Sequence, residues 1–257
     1  MIKSHNMKGH LLNDLFIESK GYITALEGRR LEEFDGTDNV LSASSTQPFL
    51  KHLSLVLQEV HPEAGAPYWR VRSWGLSCWQ PIYLALICVY HLKKTPQTLD
   101  QLHQDQQHNY IAGYALPEGK WFHAEHHELV AYTARKLAVL FEAYEAAHLA
   151  LYGGRKTLYR ALLADQIMDT VLLADPFASI ETISHEYTLW AKHLDLPIAP
   201  LNRLQKKAEK VSFIRRTCCL HFRRNDGEIC SNCPRQHKQS QHKQCQDKNS
   251  QETLCLN

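Results

Sequence analysis

Cys218, Cys219, Cys230 and Cys233 lie within sixteen residues of one another, in the stretch RRTCCLHFRRNDGEICSNCPR at 215–235. Two adjacent thiols, ten residues and then a Cys-x-x-Cys pair suit three chemistries. A disulfide framework belongs to oxidising compartments. Structural zinc takes four thiolates in a tetrahedron, usually from two Cys-x-x-Cys pairs, and only Cys230 and Cys233 have that spacing. Adjacent residues direct their side chains apart, to opposite faces of a strand or about 100° around a helix, so one small ion is awkward for both Cys218 and Cys219. A two-iron sulfur cluster shares its four thiolates between two metals and is wider. The spacing sets the cluster ahead of zinc and leaves zinc as the alternative.

The flanking charge bears on the same choice. Arg215, Arg216, Arg223, Arg224 and Arg235 stand beside the cysteines. Cations favour the more negative, reduced form of a cluster and so raise its potential. The plainer reading is a solubilising surface, or a zinc module that touches phosphate. Residues 203–235 carry nine Lys/Arg against three Asp/Glu, whereas residues 1–202 carry 17 against 22. A net charge of +2 therefore hides a basic C-terminal module on an acidic body.

The elements that must position this module are mostly helical. Apolar residues recur at helical spacing in 46–61, and 75–94 is apolar nearly all round, with Pro81 as a kink or first-turn residue. The longest periodic segment, 123–154, has an acidic start and ends at Gly153-Gly154. Further helices are expected over 155–176 and 179–197, and a strand or hairpin over 109–122, turning at Pro117–Gly119. Residues 237–257 are Gln-, Lys- and Asn-rich, which predicts a disordered tail carrying Cys245 and Cys255 as free thiols. The fold class is mostly α, divided into a body at 1–206, a cysteine module at 207–236 and the tail.

The first twenty residues lack a signal-peptide core. The most apolar run, IYLALICVYHL at 82–92, has eleven residues where a bilayer needs ~20. A cytoplasmic chain without a transmembrane segment is expected, which disfavours disulfides. No Gly-rich dinucleotide or P-loop motif occurs, so electrons for any redox work must come from another protein.

Other clusters read as structure. His123 and His127 share a helix face but have no third ligand, and Glu145 with His148 forms half of a di-iron motif without its second half. Cys78 and Cys88 are core thiols. The stretch YWRVRSWGLSCW at 68–79, just before the apolar helix, reads first as a packed corner with arginine stems on indoles. Its functional reading is a pocket wall for a large polar ligand, with Arg70, Arg72 and Trp74 as the substrate-binding candidates.

RRTCC, ten residues and CSNC together resemble the C-terminal signature of the siderophore ferric iron reductase family (FhuF-like), over about twenty residues. The resemblance implies a 2Fe–2S cluster on Cys218, Cys219, Cys230 and Cys233. It implies a helical siderophore-binding body ahead of that module. It further implies one-electron reduction of Fe(III) in an imported hydroxamate-type siderophore, without a catalytic nucleophile and without nucleic acid as partner. An external donor such as a ferredoxin or flavin reductase would supply the electron. A non-catalytic zinc module and an iron–sulfur sensor are the other readings.

Overall fold

Apolar stripes on six helices meet in one core in the computed structural model, which describes residues 8–33, 40–175, 178–207 and 210–235. The chain runs α1 (Lys8–Tyr22), β1 (Gly28–Arg30), β2 (Val40–Leu41), α2 (Thr46–Val60) and α3 (Gly65–Leu86). It continues with β3 (Thr95–Pro96), β4 (His103–Gln107), β5 (Tyr110–Leu116), β6 (Trp121–Phe122), α4 (His126–Tyr152), α5 (Lys156–Ala174) and α6 (Ile180–Leu194). The hairpin β7 (Leu204–Lys207) and β8 (Lys210–Phe213) then leads into the cysteine module. The fold is mostly α with a few short strands, as the sequence predicts.

Helix α3 is central and packs on α2, α4 and α5. It begins ten residues earlier than its apolar pattern suggests, so residues 68–79 are helix and not a corner. Pro81 lies inside it. Proline has no N–H to give the carbonyl four residues back, and that carbonyl, of Ser77, instead accepts from Gln104 Nε2 at 3.0 Å. The gap in the helical ladder thereby becomes a joint to β4. Trp79 Nε1 donates to the Ile111 carbonyl at 3.0 Å, a second joint, to β5.

The sheet has the order β1-β5-β4-β2, with β1 parallel to β5 and the other pairs antiparallel. The expected turn at Pro117–Gly119 is corrected: the hairpin joins β4 to β5 through His108-Asn109, and β6 pairs with β3. His108 takes φ of 55°, the left-handed conformation that a tight reversal needs. Polar β4, HQDQQ, carries no strand pattern of its own, and its Gln104 is fully buried by the α3 joint.

Glu145 pairs with Arg160 at 2.6 Å and Lys156 at 3.1 Å, and His148 Nδ1 lies 2.7 Å from the Tyr144 carbonyl. The two residues are thus core-facing groups with separate partners. Burial depresses His148 to about 4. A folded-state pKa below the ordinary 6.5 means the fold holds the neutral ring, so this stability is present above pH 6.5 and lost as pH falls toward 4. The difference corresponds to roughly 3 kcal/mol. Melting temperatures between pH 7.5 and 4 should fall by on the order of 10 °C from this group, and the His148→Gln variant should lose that part of the slope. No helix among the described residues is long and apolar enough to cross a membrane. The expected tail, with Cys245 and Cys255, lies outside the described residues.

Candidate iron–sulfur site

The module is fixed to α5 by two acids one turn apart. Asp165, fully buried, accepts from the Arg216 N–H at 3.2 Å, the Thr217 N–H at 2.7 Å and the Thr217 hydroxyl at 2.5 Å. Asp169 accepts from Asn232 Nδ2 at 3.0 Å and lies 3.6 Å from Arg215 Nε. Burial raises both carboxyls, Asp169 to about 6, against the lowering effect of their donors. The Arg215 N–H donates to the Asn232 carbonyl at 3.0 Å and closes the module end to end. Glu63, before α3, accepts from the Asn225 N–H at 3.0 Å. Acidic body and basic module thus meet in specific hydrogen bonds.

Between these anchors the chain folds tightly. Leu220, directly after the cysteine doublet, has φ of 59°, a left-handed turn that costs a non-glycine residue about 1 kcal/mol. A short 3-10 turn, His221–Arg223, follows. A Cβ on Gly227 would stand 1.9 Å from the His221 carbonyl oxygen, so only glycine fits there. The Cys233 N–H donates to the Cys230 carbonyl at 3.0 Å, the turn that a Cys-x-x-Cys pair makes.

The four thiols neighbour one another. Cys219 Sγ lies 3.6 Å from Cys230 Sγ, and Cys218 and Cys233 interact through their side chains. None is in a disulfide. Burial, then the neighbouring thiols, raises Cys218, and the same causes push Cys230 up to about 12. Four sulfurs this close exist as thiolates only when metal shares their charge. Four neighbouring thiols are the donor set that two irons share in a 2Fe–2S cluster, so the residues present fit a 2Fe–2S group. Cys78 and Cys88 are fully buried core thiols.

Residues 215–235 match the family model of the FhuF 2Fe-2S C-terminal domain. This segment is thus similar to the 2Fe–2S C-terminal domain of FhuF proteins. Its cofactor is a 2Fe–2S cluster. The match is confined to residues 215–235, and no solved structure matches the chain.

The FhuF module closes one side of a cleft of about 320 Å³. A stripe on α3 forms its opposite wall, with Arg72, Gly75, Leu76, Trp79 and Tyr83 at helical spacing. Tyr110 of β5, Gln166 of α5 and Arg215, Cys219 and His221 of the module complete the polar and aromatic lining. Arg72 lies over the Tyr110 ring, 5.7 Å from its centroid. Trp74 reaches the cleft from the core side, packed 5.1 Å from His148 and from Tyr159. Arg70 points elsewhere, toward Gly154; two residues apart on a helix, it and Arg72 leave on different sides. Burial lowers His221, and its Nε2 faces Arg224 Nη1 at 2.9 Å, so the ring is a neutral acceptor there.

Sequence reasoning named Arg72 and Trp74, covered Trp79 only as part of the 68–79 stretch, and missed Tyr83, Tyr110 and Gln166 in this lining. Trp79 and Tyr83 continue the Arg72 stripe at i+7 and i+11, a signal present in the sequence once 68–86 is read as one helix. Tyr110 and Gln166 gave no local signal.

Proposed function

We propose that the chain is a ferric-siderophore reductase that seats a ferric hydroxamate in the α3–α5 cleft and reduces its iron by one electron in the cytoplasm. The observation that carries this reading is Cys219, which belongs both to the thiol set and to the cleft wall. Cys218, Cys219, Cys230 and Cys233 would hold the cluster, which supplies a one-electron couple when bound. The body, 1–206, seats the chelate and the module, 207–236, delivers the electron.

The residues divide the work. Trp79, Tyr83 and Tyr110 give the broad flat surfaces on which a bulky chelate can lie. Arg72, Arg215 and Gln166 offer donors to hydroxamate oxygens, and Trp74 closes the floor against water. Among the described residues the cleft lining contains no carboxylate to compete for iron. No side chain is required as a nucleophile, because Fe(II) is held far less tightly than Fe(III) by hard oxygen ligands. A ferredoxin or flavin reductase would be the donor, since the chain has no dinucleotide motif of its own.

Steady-state reduction tests this. With a ferrous trap present, the iron-loaded protein should release Fe(II) from a ferric hydroxamate when a chemical reductant or ferredoxin system is supplied. NADPH alone should give none. Release no faster than without protein would reject the reading. A colourless, zinc-containing protein would favour the non-catalytic module.

A further inference from the structure

Arg72 is placed strangely for a surface cation. It is half-buried on the cleft stripe of α3, with its guanidinium over the Tyr110 ring. The titratable and charged groups that face it are Tyr68, Tyr110, Arg224, Cys219, His221 and His61, and burial holds its pKa below the ordinary arginine value. Among the described residues no carboxylate pairs with it, whereas Arg215 has Asp169 and Arg224 has Asp226. A cation withdrawn from water is stable only when an anion completes it. The one group facing Arg72 that becomes strongly anionic in this fold is the Cys219 sulfur, as a ligand of the module's cluster.

We infer that Arg72, on the body's own helix, is the fixed counter-charge of the cluster and raises its reduction potential through Cys219. This rests on the 2Fe–2S reading of the module. Reduction adds one electron and no atoms, and makes the iron–sulfur–thiolate assembly one unit more negative. A cation already in place stabilises that form more than the oxidised one. Arg72 is in place because its helix is rigid and its guanidinium rests on Tyr110. Two of the module's own arginines, Arg223 and Arg224, suit the task less well. Arg224 is held by Asp226, and Arg223 is exposed, where water and salt screen it. The body thereby sets the potential of a cluster carried by the module, and docking of the two becomes part of the redox tuning.

A redox titration of the full chain, followed by visible absorption and by the reduced cluster's paramagnetic signal, tests the inference. Iron and sulfide per chain are assayed on each sample. Arg72→Gln should shift the one-electron equilibrium about tenfold toward the oxidised form, which is about 59 mV. Arg72→Lys, which keeps the charge, should recover most of the shift. Arg70→Gln, with the same charge change on another side of α3, should titrate as wild type. If the glutamine variant does not load, Arg72→Met is the second neutral variant. Failure of both neutral variants to hold iron while Arg72→Lys holds it would support the counter-charge role. Fully loaded Arg72→Gln at the wild-type potential overturns the inference, including the case where only chelate affinity is lost. Wild-type protein without iron and sulfide would instead overturn the 2Fe–2S reading on which it rests.

Discussion

Cys219→Ser is expected to give a folded chain that has lost its cluster, with iron and sulfide per chain falling to a small fraction of wild type. The Cys219 sulfur stands 3.6 Å from that of Cys230 and on the cleft wall, so no other thiol can take its place without moving the chain. Leu220, in its left-handed turn, fixes the direction in which Cys219 leaves the backbone. A serine hydroxyl is harder and far less acidic than a thiol, and a poor partner for iron–sulfur chemistry. The same loss is expected at Cys218, Cys230 and Cys233. Cys78→Ala and Cys88→Ala should retain full iron, because both thiols are buried in the core and burial alone raises them far out of the reactive range. Full iron and sulfide in Cys219→Ser would remove the doublet from the ligand set, and with it the distinction from a zinc knuckle.

Asp165→Ala should release the module from a body that stays folded. The Asp165 carboxylate takes three hydrogen bonds from Arg216 and Thr217, immediately before the cysteine doublet. Each donor left without an acceptor costs about 1–3 kcal/mol, and the losses fall on the segment that aims Cys218. Helical circular dichroism should change little. Residues 204–235 should become sensitive to protease, and iron content should drop severalfold. Asp165→Asn should resemble Asp165→Ala more than wild type, since its amide turns two donors toward donors. Asp169 shares the load through Arg215 and Asn232, so the double variant should lose more than either single one. Wild-type iron content and protease resistance in Asp165→Ala would mean that the module is self-sufficient.

The sequence speaks most clearly where chemistry and spacing coincide. The thiol set is local, and sixteen residues suffice to read it. The cores of α2, α4, α5 and α6 are equally legible, because each repeats apolar residues at helical spacing and stops at a glycine, proline or capping residue. Helix α1 is less so. It buries Leu12, Leu15 and Ser19 on one narrow face and carries glycine at both ends. The sheet is hidden for another reason: β4 is polar, and its Gln104 is buried by a partner on α3 that becomes available only because Pro81 frees a carbonyl. The cleft is assembled from α3, β5, α5 and the module, so Tyr110 and Gln166 enter it by tertiary contact alone. The acid anchors left one trace. Asp165 and Asp169 are four apart on one face of α5, in a body whose negative charge complements a basic module.

Single-turnover reduction tests the central claim most directly. The iron-loaded protein is reduced without air, freed of excess reductant and mixed with a ferric hydroxamate. The account predicts that the oxidised absorption returns as one Fe(II) per chain is captured, at a rate that saturates with chelate concentration as the cleft fills. A fully loaded, fully reduced protein that stays reduced and yields no Fe(II) would contradict it.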